Sequence, residues 1–364
     1  MRLIERYDER PSIVLWELTR ACALACVHCG ADAIAFRDPK ELHTEEALAL
    51  LDEIERFGDP FPLLVLTGGD LLRWPNVELL IESAAGRGFR VALTPSATDS
   101  APRPKLRMLR DAGLACLAVS LDGPSAEAHD SFNRVNGSYS RAMLTVDSAR
   151  AIGLPIQINS SITRQTSPHL ARLADVVTAI APQMWELFFP APTGRARRED
   201  QIAAWECESA LNDLYDLAGR APFRIKTTEA PQYRRVVVER NSGIRRDGRA
   251  PMPPPTGALT LEEKRREVPP AINDGKGLLF VDHVGDVYPS GFLPISARNV
   301  RSASLVGLYR EHPIFKTLRD PDALTGRCSI CPFRNLCGGS RARAYAVYGD
   351  YLADDPACIY DPAP

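Results

Sequence analysis

No apolar run in this chain approaches the ~18 residues that a membrane-spanning helix needs. The first residues, Met1-Arg2-Leu3-Ile4-Glu5-Arg6-Tyr7-Asp8, lack the hydrophobic region of an export signal. Both absences point to a cytoplasmic protein with no membrane partner. No charge of one sign dominates either: charged residues make up 25% and the formal net charge is −2. Nothing therefore marks a nucleic-acid or acidic-membrane binder. No internal repeat is visible. With no export signal, the nine cysteines point to metal or redox chemistry rather than to disulfides. Seven of the nine fall in two clusters.

What is present fits an ordinary globular protein. Hydrophobic residues are 45% of the 364, and this length suggests about two domains. The stretch that organises the rest is Thr19-Arg20-Ala21-Cys22-Ala23-Leu24-Ala25-Cys26-Val27-His28-Cys29-Gly30. No fourth cysteine lies nearby, since the next is Cys116. Three close thiolates can hold three corners of a cubane iron–sulfur cluster, because thiolate is the soft ligand such clusters use. Three ligands leave one iron open, and an open metal position is where chemistry is done. The competing reading is a zinc site completed by His28, or buried thiols acting as small hydrophobes. Zinc-ribbon cysteines, however, come in pairs two residues apart.

Short apolar strands alternate with amphipathic helices along the next stretch of chain. Ser12 to Glu17 reads as a buried strand feeding the cysteine loop. Thr44 reads as an N-cap, with Glu45 and Glu46 in the first turn of a helix that Gly58 can stop. Further strands are expected at Leu63–Thr67, Phe89–Thr94, Cys116–Leu121, Pro155–Ser160 and Met184–Phe189. Six such βα units predict an α/β fold, a partial (βα)6 TIM-like barrel. Ligands in such folds bind at the C-terminal ends of the strands. Gly68, Gly69 and Asp70 follow the second strand, Ser120 and Asp122 the fourth, and Asn159 and Ser161 the fifth.

Residues 1–200 are expected to form this core. Residues 201–276 read as a bridging region: a helix over Trp205–Ala218, a strand near Phe223–Glu229, and a Pro/Arg/Gly-rich insertion or lid at about 241–275. Residues 277–364 read as a small second domain opening on a β-hairpin. It carries Cys328, Cys331, Cys337 and Cys358, enough thiolates to saturate an iron–sulfur cluster or a zinc ion.

Cys22, Cys26 and Cys29 match the three-cysteine motif of the radical S-adenosylmethionine enzymes, and nearly the whole chain resembles that superfamily. Gly68-Gly69-Asp70 stands where the superfamily usually has Gly-Gly-Glu. Ser120-Leu121-Asp122-Gly123 and His129-Asp130 resemble its fourth-strand region. The C-terminal cysteines resemble the twitch form of the SPASM extension, with one auxiliary cluster. Ser290 stands where a full SPASM domain has a further cysteine, and Asp70 is one methylene shorter than the usual glutamate.

The resemblance implies a [4Fe-4S] cluster on Cys22, Cys26 and Cys29 whose open iron chelates S-adenosylmethionine. It implies a second, auxiliary [4Fe-4S] cluster on Cys328, Cys331, Cys337 and Cys358. A reductase or flavodoxin-type donor would supply the electron, and a 5′-deoxyadenosyl radical would take a hydrogen atom from a substrate. Gly68 and Gly69 would let backbone approach the ligand; as glycines after a strand they also suit a tight turn. Asp70 would meet the methionine ammonium or serve as a helix N-cap. Ser120, Asp122 and Asn159 would meet ribose and carboxylate, or form strand-end turns. Arg134 or Arg164 suits the methionine carboxylate. Cys116 and Cys207 read as packed core, and His283 as a solvated turn residue. Thr227, Thr228, Glu229, Tyr233, Arg234 and Arg235 are either substrate contacts or a solvated segment. Expected substrates are a tetrapyrrole side chain or a carbohydrate-like small molecule, oxidised or decarboxylated. The early start of the first strand favours this over a ribosomally made peptide. The rival of another class is a non-catalytic iron–sulfur or zinc protein.

Overall fold

The computed structural model describes residues 6–22, 26, 32–96, 102–247 and 267–362. Its frame is one ten-stranded sheet. The strands are β1 (Ile13–Thr19), β2 (Leu63–Gly68), β3 (Val91–Leu93), β4 (Leu114–Ser120), β5 (Ile156–Ser161), β6 (Met184–Phe188), β7 (Arg224–Thr228), β8 (Leu278–Val281), β9 (Asp286–Tyr288) and β10 (Arg298–Asn299). The order across the sheet is β10-β9-β8-β1-β2-β3-β4-β5-β6-β7. All pairs from β1 to β7 are parallel, and β8 is parallel to β1. β9 and β10 are antiparallel additions. The edge strands β7 and β10 do not pair, so the barrel stays open.

The expected six-strand core is therefore present but does not end the sheet. β7 lies beyond residue 200 and β8 beyond residue 276, so the sheet runs through both expected boundaries. Hydrogen bonding between strands is non-local, and a period-2 pattern read along the chain does not show where a sheet stops.

The two faces of the sheet differ. On the outer face Val14, Trp16, Leu64, Leu66, Leu93, Leu117, Ile158, Trp185 and Leu279 are buried. They share one core with the helices α1 (Thr44–Glu55), α2 (Val77–Gly86), α3 (Arg103–Asp111), α5 (Ser138–Ala151), α6 (Leu170–Ile180) and α7 (Ala204–Ala218). The alternate residues Leu15, Val65, Ala92, Gln157 and Phe280 are only half-buried. A full TIM barrel fills its interior with side chains; this inner face remains accessible.

Local corrections have local causes. His43, not Thr44, caps α1: its Nδ1 accepts from the Glu46 amide at 3.4 Å, and the Glu46 carboxylate accepts from the His43 amide at 3.1 Å. This reciprocal pairing satisfies two otherwise unpaired donors. Of the expected insertion at 241–275, residues 248–266 lie outside the described residues. Its flanks are built into the protein: Asp274 is buried, and Asn273 donates to the carbonyl of Gly339 at 2.8 Å.

The C-terminal third is fastened to both edges of the barrel. Tyr309 donates to the carbonyl of Tyr7 at 2.7 Å and accepts from the amide of Gly277 at 3.1 Å. Arg343 is buried and donates to the carbonyls of Phe189 at 2.6 Å and Glu229 at 2.7 Å, just past β6 and β7. It also pairs with Asp355 at 3.2 Å. Because one core spans both parts, Leu279→Ala should cost roughly 2–5 kcal/mol. Urea unfolding followed by tryptophan fluorescence and far-UV dichroism should show one transition displaced as a whole, rather than selective loss of the C-terminal part.

Candidate active site

β1 delivers the cysteine loop to the C-terminal edge of the sheet. The loop's start is pinned by backbone contacts. Gly69 N–H donates to Thr19 O at 2.7 Å, and Asp70 N–H donates to Ala21 O at 2.7 Å. Cys22 N–H donates to Ile34 O and Ile34 N–H to Arg20 O, both at 2.9 Å, which closes the far side of the loop. A Cβ at Gly68 would stand 2.3 Å from Thr19 O, and one at Gly69 would stand 2.3 Å from Ala21 O. Gly68 also has a φ of 134°. These glycines are required because they press on the cysteine loop itself; close approach to a ligand is not needed to explain them.

Each described thiol of the loop rests on a polar side chain. Cys22 Sγ is 3.4 Å from Ser96 Oγ, and Ser96 donates to Gly69 O at 2.8 Å. Cys26 Sγ is 3.5 Å from Asn133 Oδ1, at the end of α4 (Ala126–Asn133). Asn133 Nδ2 donates to Asp122 Oδ2 at 3.4 Å. The other Asp122 oxygen accepts from the Ser161 amide at 2.7 Å. The Asp122 amide donates to His129 Nδ1 at 3.0 Å. Burial lowers the pKa of His129 against the opposing charges of Asp122 and Asp130, and the neutral ring keeps Nδ1 an acceptor. Asp122 thus joins the ends of β4 and β5 and supports the residue under Cys26. Cys29 and His28 lie outside the described residues.

The remaining expected residues fall into place around this mouth. Asp70 is fully buried and pairs with Arg73 at 3.0 Å; it precedes a short 3-10 turn without capping it through its side chain. Ser120 and Asn159 are directly opposite one another on β4 and β5. Arg134 is exposed, in a left-handed conformation with φ of 53°, directly after Asn133. Arg164 is also exposed. Cys207 is core as expected, and burial pushes its thiol up to about 12. Cys116 is half-buried on the inner face.

Two expectations are overturned. His283 is buried, not solvated, and its Nδ1 stands 2.8 Å from the Glu17 carboxylate on β1. Glu229, Tyr233, Arg234 and Arg235 are buried as well. Arg235 is ion-paired with Glu208 and, at 2.5 Å, with Glu239. Linear sequence showed a polar run; the tertiary fold supplies the partners that let it be buried. Ser96, Asn133 and the Glu17–His283 pair were not singled out from sequence. For Asn133 there was a signal, its position four residues after His129 on one helix face.

Cys328, Cys331, Cys337 and Cys358 are free thiols. Among the described residues no three Cys, His, Asp or Glu side chains gather closely enough for one metal ion. Burial raises the pKa of Cys328 against Arg341, and pushes Cys337 up to about 11 against Arg234 and Arg235. Soft donors beside fixed arginine charge suit an anionic iron–sulfur cluster. The loop around them is anchored: Asp355 accepts from Gln232 at 2.6 Å and from the Ser340 amide at 2.7 Å. A cleft of about 220 Å³ runs between Phe189, Ile202, Cys207 and Arg343, and its lining includes none of the cysteine-loop residues.

Residues 16–167 match the family model of the Radical SAM superfamily. The chain belongs to that superfamily and is a radical SAM enzyme, a class that uses a [4Fe-4S] cluster and S-adenosylmethionine. It is 33% identical over 363 residues to an AdoMet-dependent heme synthase of Oleidesulfovibrio alaskensis, covering 99% of this chain and 90% of the relative. A protein of the same name from Methanosarcina barkeri is 32% identical over 355 residues, with 97% of each covered. The fold is shared with Streptococcus suis SuiB bound to its precursor peptide SuiA, at a TM-score of 0.71 and 13% identity, covering 97% of this chain and 76% of that one. No helix among the described residues is long and apolar enough to cross a membrane.

Two outcomes test this geometry. Gly69→Ala should destabilise the loop by roughly 1–3 kcal/mol through overpacking, and iron and sulfide analysis should show reduced loading at the N-terminal site. The Glu17–His283 pair gives a pH dependence. Burial opposes protonation of His283, but the hydrogen bond and charge of Glu17 outweigh it, so its pKa is raised above 6.5. Its stabilisation is full below that ordinary value and is lost as pH rises through the raised one. Denaturation midpoints between pH 6 and 9 should fall in the native chain, and Glu17→Gln should flatten that fall.

Proposed function

We propose that this radical SAM enzyme oxidises or decarboxylates a side chain of a tetrapyrrole. The observation that carries the reading is the match, over nearly the whole chain, to two AdoMet-dependent heme synthases at 32% and 33% identity. A peptide substrate is the second reading, supported by 24% identity over 360 residues to a PqqA peptide cyclase; the fold shared with SuiB, at 13% identity, speaks to fold and not to substrate.

In this reading Cys22, Cys26 and Cys29 hold the cluster that binds S-adenosylmethionine, and Cys328, Cys331, Cys337 and Cys358 hold an auxiliary one. Bound there, these cofactors supply the reducing electron and the 5′-deoxyadenosyl radical that takes a substrate hydrogen atom. The protein's part is positional. Gly69 and Asp70 amides fix the loop, while Ser96 and Asn133 support two of its thiols. Gly68 makes room for the loop backbone, and the Asp70 carboxylate, paired with Arg73, would meet the methionine ammonium. Ser120 and Asn159 offer neutral polar contacts at neighbouring strand ends, Asp122 would hold the nearby strand-end loop, and Arg134 suits a carboxylate. A flavodoxin-type reductase would deliver the electron.

Anaerobically reconstituted, reduced protein given S-adenosylmethionine should release 5′-deoxyadenosine. Replacing Cys22, Cys26 and Cys29 with Ala should abolish that release. Replacing Cys328 and Cys331 should leave cleavage measurable while product formation or folding suffers; equal loss of cleavage from both sets would overturn this division. Product analysis with a porphyrin and with a candidate peptide separates the two substrate readings.

A further inference from the structure

The inner wall of the barrel carries an apolar row and, at a different level, a polar one. Across β8, β1, β2, β3 and β4 the residues Phe280, Leu15, Val65, Ala92 and Cys116 lie directly opposite one another in register. Four residues further along β4, the row across β4, β5, β6 and β7 is Ser120, Asn159, Glu186 and Lys226. The first row is apolar apart from its terminal thiol. The second row is fully polar and carries a buried carboxylate.

That carboxylate is satisfied without help from Lys226. One Glu186 oxygen accepts from Gln157 Nε2 at 2.7 Å and the other from Thr228 Oγ1 at 2.5 Å. Lys226 Nζ adds a third contact at 2.7 Å, yet its side chain is 37% exposed while that of Glu186 is 8% exposed. An ammonium has three donors, and this one spends a single donor on Glu186. Two donors of the ammonium are left beyond that contact. Arg224, on the same face of β7, lies at the exposed start of the strand instead. Lys226 therefore provides the positive charge within this row.

We propose that Lys226 anchors a carboxylate of the substrate, and that Glu186 is a positioning residue that holds the ammonium against the β5–β7 wall. This deepens the tetrapyrrole reading and rests on it. A flat apolar macrocycle would lie against Leu15, Val65 and Phe280, with an acidic side chain turned to Lys226. A carboxylate at an ammonium in a partly desolvated interior is a charge-assisted hydrogen bond, stronger than its exposed counterpart.

The test measures binding of coproporphyrin III and of its methyl ester to the anaerobically reconstituted full chain, by absorbance titration. Lys226→Met should weaken binding of the free acid at least about tenfold, a charged contact being worth that much. It should leave the ester's affinity unchanged, and Lys226→Arg should restore most of the loss. Glu186→Gln should weaken free-acid binding by less than Lys226→Met does and leave the ester unchanged, since the ammonium keeps its charge but loses the carboxylate that positions it. Equal weakening of acid and ester by Lys226→Met, or failure of Lys226→Arg to restore, would overturn the anchor; unchanged acid binding in Glu186→Gln would overturn the positioning role. Unchanged acid binding in Lys226→Met would overturn the anchor alone and leave the tetrapyrrole reading standing. If the native chain binds neither porphyrin, the tetrapyrrole reading falls with it.

Discussion

Two backbone hydrogen bonds, from the amides of Gly69 and Asp70 to the carbonyls of Thr19 and Ala21, join the end of the second strand to the start of the cysteine loop. They exist because residues 68 and 69 have no Cβ: any side chain would stand 2.3 Å from a carbonyl oxygen of the loop. From this contact follow the placement of Cys22 beside Ser96, the tie from Ser96 back to Gly69, and the burial of Asp70 at the edge of the mouth. A second support reaches Cys26 from the other side, through Asn133, Asp122 and the amide of Ser161. The described residues of the loop that carries the chemistry are thus tied to the ends of β2, β4 and β5.

The same sheet gives the protein two unlike faces. Its outer residues are buried against helices and supply hydrophobic stabilisation. Its inner residues carry an apolar row from β8 to β4 and, at another level, a polar row from β4 to β7. The C-terminal third completes the assembly by adding strands to one edge and docking Arg343 on the carbonyls that follow β6 and β7 at the other. Arg343 also holds Asp355, whose own carbonyl accepts from the amide of Cys358. The C-terminal cysteine loop and the barrel rim are therefore joined through a buried guanidinium, whose loss would take away a charge partner of the buried Asp355.

Much of this was legible in the linear chain. Period-2 apolar runs separated by helical ones announce parallel βα units, and Cys22, Cys26 and Cys29 announce a soft-metal site. The residues after each strand are the ones that meet at the mouth, because parallel strands bring all their C-terminal ends to one edge. Reading failed where partners are distant in sequence. His283 looked solvated in its turn, and burial became possible only with Glu17 supplied from β1. Arg235 looked like part of a surface segment until Glu208 and Glu239 paired with it. The Gly68-Gly69 pair stood out in the sequence, but the loop carbonyls it approaches could not be read from its own neighbours.

By itself the sequence determined the class of the protein: the ligand type, the order of strands and the family follow from local pattern and residue chemistry. Only the tertiary structure decided how far the sheet extends, which glycine meets which carbonyl, and which polar residues share the barrel's inner wall. The reason is physical. Element type and ligand softness are set by side chains within a few positions of one another. Register, burial and charge pairing depend on groups brought together across long stretches of chain, such as Glu186 and Lys226 on adjacent strands or Glu17 and His283 at opposite ends of the sequence.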